Sequence, residues 1–317
     1  MCFMKKKIFV SGANGLLGSK IVDLNDNNYS FIAGFNQTNR NIQNVNSIQL
    51  DITKFDDCKK ILDINPDIII HTAAITDVDY CEKNKKHAYS VNVQGTKNLC
   101  KIAKNLNCKI IYISTDGVFS GDCKNNKEFN FCNPLNYYGK TKFEGENEIK
   151  KINNHLILRT NVLYGFESFD SLKSRSKHTK SINFALWALT KLNKNEQLKI
   201  VNDQFSNPTY VDNLVEIIFS CIQKNIQGLF HATDLTCINR YEFTKKLASK
   251  FGFSQDLIST ISSDELNQFA KRPLNTCLDC SKLIKSGIKL YSLDDSLERL
   301  YNQINKLDSS LIHDTMK

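Results

Sequence analysis

Lys7-Ile8-Phe9-Val10-Ser11-Gly12-Ala13-Asn14-Gly15-Leu16-Leu17-Gly18 is the stretch that decides the fold. A short apolar run ends on serine, glycines follow at Gly-x-x-Gly-x-x-Gly spacing, and a helical pattern runs from Leu16 to Leu24. Glycine permits the tight strand-to-helix turn, and its missing side chain lets the backbone approach a pyrophosphate. The helix start then offers free N–H groups and a favourable dipole to an anion. In this context Gly12, Asn14, Gly15, Leu16, Leu17 and Gly18 are candidate dinucleotide-binding residues.

Working outward, the same rhythm repeats. Tyr29 to Phe35, Ser47 to Leu50, Ile68 to His71, Lys109 to Ser114 and Leu156 to Arg159 are predicted strands. Helical patterns at Phe55 to Ile64, Lys85 to Leu106 and Asn136 to Ile152 separate them. Continuous apolar strands joined through helices predict a parallel sheet covered on both faces, a Rossmann-type doubly wound α/β fold.

Beyond Arg159 the pattern loosens. Ser168 to Ser181 is a polar loop by composition, and Ile182 to Leu192, Val211 to Ile222, Tyr241 to Phe251 and Leu293 to Ile304 are helical. Leu198 to Val201 and Gly228 to Ala232 are predicted strands. The expected division is an NAD(P)-binding part over 1–160 and a smaller α/β substrate-binding part over 161–317, some of whose segments return to the first.

Strand ends name further candidates. Gly34-Phe35-Asn36-Gln37-Thr38-Asn39-Arg40 closes strand two without a carboxylate. An acidic residue there favours the ribose hydroxyls of NAD, so Asn36 and Arg40 lean toward NADP, with NAD second. Asp51 and Ile52 follow strand three, within reach of an adenine. Ser114-Thr115-Asp116 ends strand five, where parallel sheets line their ligand crevice.

Tyr138 and Lys142 are four apart on a predicted helix and share one face. A phenol of pKa ~10 exchanges protons poorly at neutral pH, and a nearby ammonium is expected to lower that value. The pair can then trade a proton with a carbonyl oxygen as hydride moves. Tyr137 has no lysine at that spacing.

The composition is ordinary for a globular chain, 24% charged and 41% hydrophobic over 317 residues. A formal charge of +9 is dispersed, apart from Lys5-Lys6-Lys7, so nucleic acid is not an expected partner. No apolar stretch reaches membrane-spanning length and Met1 to Val10 lacks a signal-peptide core, so a cytoplasmic location without membrane contact is expected. Among 11 cysteines only Cys277 and Cys280 have Cys-x-x-Cys spacing, and no second pair accompanies them. No metal site is expected, and the remaining cysteines, such as Cys100, Cys123, Cys132 and Cys221, are expected to be reduced thiols.

With these motifs in order, the chain resembles the extended short-chain dehydrogenase/reductases. Gly12 to Gly18, Thr72-Ala73-Ala74, Ser114-Thr115-Asp116 and Tyr138 to Lys142 carry the likeness. Ser114 to Phe119, Asn133 to Lys142, Asp203 to Thr209 and Arg272 to Leu283 are further similar to the dTDP-4-dehydrorhamnose reductase branch. The resemblance implies Thr115, Tyr138 and Lys142 as catalytic triad, with Lys142 also on the nicotinamide ribose. It adds Thr72, Ala73, Ala74, Thr76 and Ser114 to the cofactor side. It implies reduction of a nucleotide-linked 4-keto-6-deoxy sugar, with Thr115, Asp116, Asn183, Gln204 and Arg272 toward the substrate. A homodimer is compatible with it. Gly117 and Val162 depart from the branch, which usually has tyrosine and often tryptophan there. The alternatives are a related epimerase or dehydratase, and a non-catalytic subunit like the regulatory subunit of methionine adenosyltransferase. Gly117 stands where the dehydratases have a glutamate.

Overall fold

Strand β1 (Lys6–Ser11) leads through the glycine turn into helix α1 (Leu16–Val22), and β2 (Tyr29–Phe35) and β3 (Asn46–Gln49) follow. The computed structural model describes residues 5–24, 26, 28–37, 45–166, 183–266 and 268–306. Arg40, Ile182 and the polar run from Ser168 to Ser181 lie outside the described residues.

The predicted helix from Phe55 to Ile64 is two short helices, α2 (Phe55–Cys58) and α3 (Lys60–Ile64). Leu62 N–H bonds the Lys59 carbonyl at 2.8 Å, a three-residue bond that tightens the ladder at the join. After β4 (Ile68–His71), α4 (Val78–Lys83) forms under an Asp77 cap, an element the apolar spacing did not reveal. The predicted helix from Lys85 to Leu106 is interrupted. α5 (Lys85–Tyr89) passes through a π-helical segment, Ser90–Gly95, into α6 (Thr96–Leu106). β5 (Lys109–Thr115), α7 (Tyr137–Ile149) and β6 (His155–Thr160) complete this half.

The strands pair in parallel in the order β3-β2-β1-β4-β5-β6, the doubly wound arrangement expected. Alternate residues of each strand face opposite layers. Ile8, Val10, Ile70, Ile111 and Leu158 build one core, while Phe9, Ile69, Ile110 and Ile157 build the other beneath Leu99 and Ile102 of α6. Each such side chain, removed from water, contributes about 1.5–3 kcal/mol.

The chain continues through β7 (Leu163–Tyr164), α8 (Phe184–Asn193), β8 (Leu198–Val201), β9 (Phe205–Ser206) and β10 (Thr209–Tyr210). Helix α9 (Val211–Gln223) then packs Leu214 and Ile218 into the first core, and β11 (Gly228–His231) pairs with β6 as the seventh strand. β12 (Ile238–Asn239), α10 (Arg240–Phe251), β13 (Ile258–Ile261), α11 (Ser281–Lys285) and α12 (Leu293–Asn305) follow. Tyr164, Leu189, Tyr210, Phe243, Leu247, Leu297 and Leu300 form a separate core there.

Cys237 and Cys277 are joined in a disulfide, which corrects the expectation of a reduced thiol for Cys237. The Cys-x-x-Cys spacing of Cys277 and Cys280 is thereby divided: Cys280 Sγ instead meets the Thr233 hydroxyl at 3.2 Å. Cys100, Cys123, Cys132 and Cys221 are free thiols. Among the described residues no helix is long and apolar enough to cross a membrane.

Candidate active site

Strand order reverses between β1 and β4, so a crevice opens at their carboxyl ends. Gly12 stands there at φ +74°, and a Cβ on it would lie 2.7 Å from the Ala73 backbone. Only glycine fits. Thr72 Oγ1 donates to the Ser11 carbonyl at 2.7 Å and ties the two strand ends together. Gly15 caps α1 with no side chain on its N–H groups, leaving a bare backbone cradle that suits a pyrophosphate. Leu16 and Asn14 edge the turn, whereas Leu17 turns into the core and Gly18 is buried behind it. Asn36 is exposed at the end of β2. Asp51 Oδ1 accepts from Thr53 N–H at 2.9 Å, Ile52 is buried, and Thr76 is exposed beyond Ala74.

α7 is capped by Asn136, whose Oδ1 accepts from Gly139 N–H at 2.9 Å and whose amide donates to the Lys271 carbonyl at 2.9 Å. One cap thus orients the helix and brings the Arg272 segment to it. Lys142 is buried, its ammonium donating to the Ile113 carbonyl at 2.7 Å and lying 4.0 Å from the Tyr112 ring centroid. Burial pushes it down to about 7, against the pull of Glu146.

Tyr138 does not follow the expectation of a lowered pKa. Burial pushes its phenol well above 10, opposed by a hydrogen bond with Thr115. The cause is geometric, since the Lys142 ammonium is turned toward Ile113 and Tyr112. The phenol therefore stays protonated at neutral pH, which is the form a proton donor needs.

Thr115 Oγ1 accepts from Gly117 N–H at 3.1 Å and donates to Asp116 Oδ1 at 3.0 Å. A side chain at Gly117 would start 3.4 Å from Thr115 Oγ1 and 3.9 Å from Tyr138 Cδ1, so glycine leaves the space beside both open. Ser114 Oγ donates to Glu146 Oε1 at 2.6 Å, and the same carboxylate takes two bonds from buried Arg159. The Ser114 hydroxyl is therefore committed to the sheet–helix join.

On the substrate side, Arg272 pairs with Asp79 at 3.1 Å. Gln204 Nε2 donates to Ser263 Oγ at 2.9 Å. Asn183 caps α8 through Leu186 N–H at 3.3 Å and bonds the Gly165 carbonyl at 2.8 Å. Val162 turns between β6 and β7 at φ +34°, a conformation rare for a β-branched residue.

Two further residues belong here without having stood out in the sequence. Asn92, in the π-helical segment, clamps Ile75 through both backbone groups at 2.8 and 3.0 Å and donates to Thr141 Oγ1 of α7 at 3.0 Å. Its place one turn after Ala88, on the apolar helix face, was the available signal. Arg240 opens α10 with its guanidinium 5.0 Å from the Phe184 ring, and it feels the charges of Asp116 and Arg272. Nothing local in the sequence distinguishes it from a surface arginine.

The profile of the family described as RmlD substrate binding domain matches residues 5–306. The chain belongs to this family. Among its curated relatives, the dTDP-4-dehydrorhamnose reductase of Aggregatibacter actinomycetemcomitans is 30% identical over 87% of this chain and 92% of that protein. Methionine adenosyltransferase 2 subunit beta of Xenopus tropicalis is 29% identical over 89% of this chain and 83% of that protein. A crystal structure of dTDP-4-dehydrorhamnose reductase from Bacillus anthracis in complex with NADP superposes with TM-score 0.83 and 30% identity, covering 95% of this chain and 100% of that one. The RmlD-type match spans both the glycine turn and the Arg272 segment, so the expected resemblance is borne out along nearly the whole chain.

Proposed function

We propose that this RmlD-family chain is an NADPH-dependent reductase of a nucleotide-linked 4-keto-6-deoxy sugar, with dTDP-4-dehydrorhamnose the first substrate to test. The observation that carries it is the Thr115 hydroxyl beside the Tyr138 phenol at the end of β5, with Lys142 one turn further along the same helix and bonded to the Ile113 carbonyl of that strand. When bound, NADPH supplies the hydride that reduces the C4 carbonyl. Tyr138, kept protonated by burial, gives its phenolic proton to the carbonyl oxygen as negative charge develops there. Thr115, whose own proton goes to Asp116, holds the phenol beside the carbonyl oxygen. Lys142 would hold the ribose at the nicotinamide end. Asn36, in place of a carboxylate, favours the 2′-phosphate. Arg272 and Gln204 are assigned to the nucleotide diphosphate, for which arginine's fork is suited once it exchanges Asp79 for phosphate.

The test is NADPH oxidation followed by absorbance with a panel of 4-keto nucleotide sugars. Turnover that disappears in Tyr138→Phe supports the proposal. Silence from cofactor-loaded protein on every sugar sinks it. The likeness to methionine adenosyltransferase 2 subunit beta keeps a second reading, a binding subunit. Stable capture of a methionine adenosyltransferase by a catalytically silent chain would favour that one.

A further inference from the structure

The Asp116 carboxylate has a hydroxyl on each oxygen. Oδ1 accepts from Thr115 Oγ1 at 3.0 Å, and Oδ2 accepts from Thr276 Oγ1. Thr115 Oγ1 in turn accepts a hydrogen bond from Gly117 N–H at 3.1 Å, so its one proton is committed to Oδ1 and the Tyr138 phenol is its other partner. Asp116 was expected to contact the substrate, yet both oxygens are spent on protein hydroxyls.

Thr276 itself is 4% exposed and firmly seated. Its N–H donates to the Phe205 carbonyl at 3.0 Å, while Phe205 N–H donates to the Leu274 carbonyl at 2.7 Å. Its neighbour Cys277 is bonded to Cys237, and the Cys277 carbonyl accepts from Asn126 N–H at 2.8 Å. Leu278 N–H then donates to Asn207 Oδ1 at 2.8 Å. Three separate segments therefore fix the Thr276 hydroxyl, which reaches across 160 residues of sequence to Asp116.

We propose that Thr276 and Asp116 are positioning residues, forming a hydroxyl–carboxylate–hydroxyl relay that aims the Thr115 hydroxyl. The inference rests on the assignment of Thr115 to holding the Tyr138 phenol at the reacting carbonyl. A carboxylate held at one oxygen cannot rotate freely, so its other oxygen presents a fixed acceptor to Thr115. Removing the Thr276 hydroxyl takes one of the donors from Asp116, beside those of Thr115 and Asn161, and loosens that hold. Thr115 then loses alignment, while the cofactor cradle is untouched.

Thr276→Val keeps the volume and removes the hydroxyl. It should lower kcat about ten- to hundredfold, with KM for NADPH held within about twofold, because loss of alignment acts on the reacting geometry. Thr276→Ser should recover most of the rate. Asp116→Asn should be slow alone, and the double variant Asp116→Asn/Thr276→Val should be little slower than Asp116→Asn, because members of one relay are non-additive. A full-rate Thr276→Val, a Ser variant as slow as Val, or multiplying losses in the double variant would each overturn the relay. Should Thr276→Val fail to fold by its melting curve, the Ser variant decides: a rate near the wild type supports the relay and a loss of tenfold or more ends it. Thr115→Val separates the underlying assignment. If it keeps full turnover, the role of Thr115 is wrong. If it is inactive while Thr276→Val is fast, only the relay fails.

Discussion

Gly139 lies so close to Gly117 that a Cβ on Gly139 would stand 2.1 Å from the Gly117 carbonyl oxygen. The helix that carries Tyr138 and the turn that carries Thr115 therefore touch backbone to backbone. Gly139→Ala forces them apart, with no flexible atom to yield. The expected outcome is a loss of about 1–3 kcal/mol in a chemical melt, typical of overpacking, together with a larger fall in kcat than in NADPH affinity.

Tyr138→Phe removes one hydroxyl from the site. Loss of a positioned proton donor costs about 10²–10⁴-fold in rate. The dissociation constant for NADPH, followed by fluorescence titration, should stay within about twofold, since the cradle of Gly12 and Gly15 is elsewhere. Equal turnover in the variant would remove Tyr138 from the chemistry.

Acid should unfold the protein through its buried histidines. His71 Nδ1 faces Ser11 Oγ at 2.8 Å, and Nε2 faces Thr96 Oγ1 at 2.9 Å, whose own proton goes to the Asn92 carbonyl. The neutral ring is thus satisfied on both sides. Burial pushes His71 and His231 down to about 3 from an ordinary 6.5. Between those values the unfolded chain binds more protons, so stability is present above pH 6.5 and is lost as pH falls toward 3. Each ring contributes a slope of at most about 1.4 kcal/mol per pH unit. Asp234, pushed up to about 6 by burial, acts oppositely: it adds stability as pH falls through 6. Urea melts should therefore show stability falling from about pH 6.5 toward pH 3, with Asp234 offsetting roughly one of the two histidines below pH 6. Replacing His71 by Gln should remove one ring's share and leave the slope below pH 6 nearly flat.

Reducing the Cys237–Cys277 bond opens a loop with a sequence separation of 40. Chain entropy puts its stabilising effect at about 3–4 kcal/mol at most. Wild type in dithiothreitol and Cys237→Ser in buffer should melt at the same lower temperature. A Cys237→Ser variant as stable as the oxidised wild type would show that the bond carries no load.

Glu146 and Arg159 form a buried pair, 0% and 1% exposed, at 2.8 Å. Glu146→Ala strands the guanidinium without its partner, at a cost of about 3–5 kcal/mol. It also releases Ser114. Glu146→Gln, which keeps an acceptor, should lose less in the same denaturant titration.

The glycine turn, the order of the first strands and the Tyr138/Lys142 spacing were legible because they are local. Apolar runs report burial on both faces, and a four-residue spacing reports one helix face. Asn92 and Arg240 were not legible, because a buried polar residue looks like a surface one until its partners arrive. Nor was the fate of Tyr138, whose pKa depends on where the Lys142 ammonium points and on how much water the fold removes.

The sequence by itself determined a doubly wound nucleotide-type sheet and placed Tyr138 and Lys142 on one helix face. Only the tertiary structure decided that β11 closes the sheet, that Cys277 bonds Cys237 rather than standing near Cys280 alone, and that Thr276 reaches Asp116. These contacts join residues far apart in the chain. No periodicity encodes them, because they follow from packing two separate cores against each other rather than from any local turn or helix.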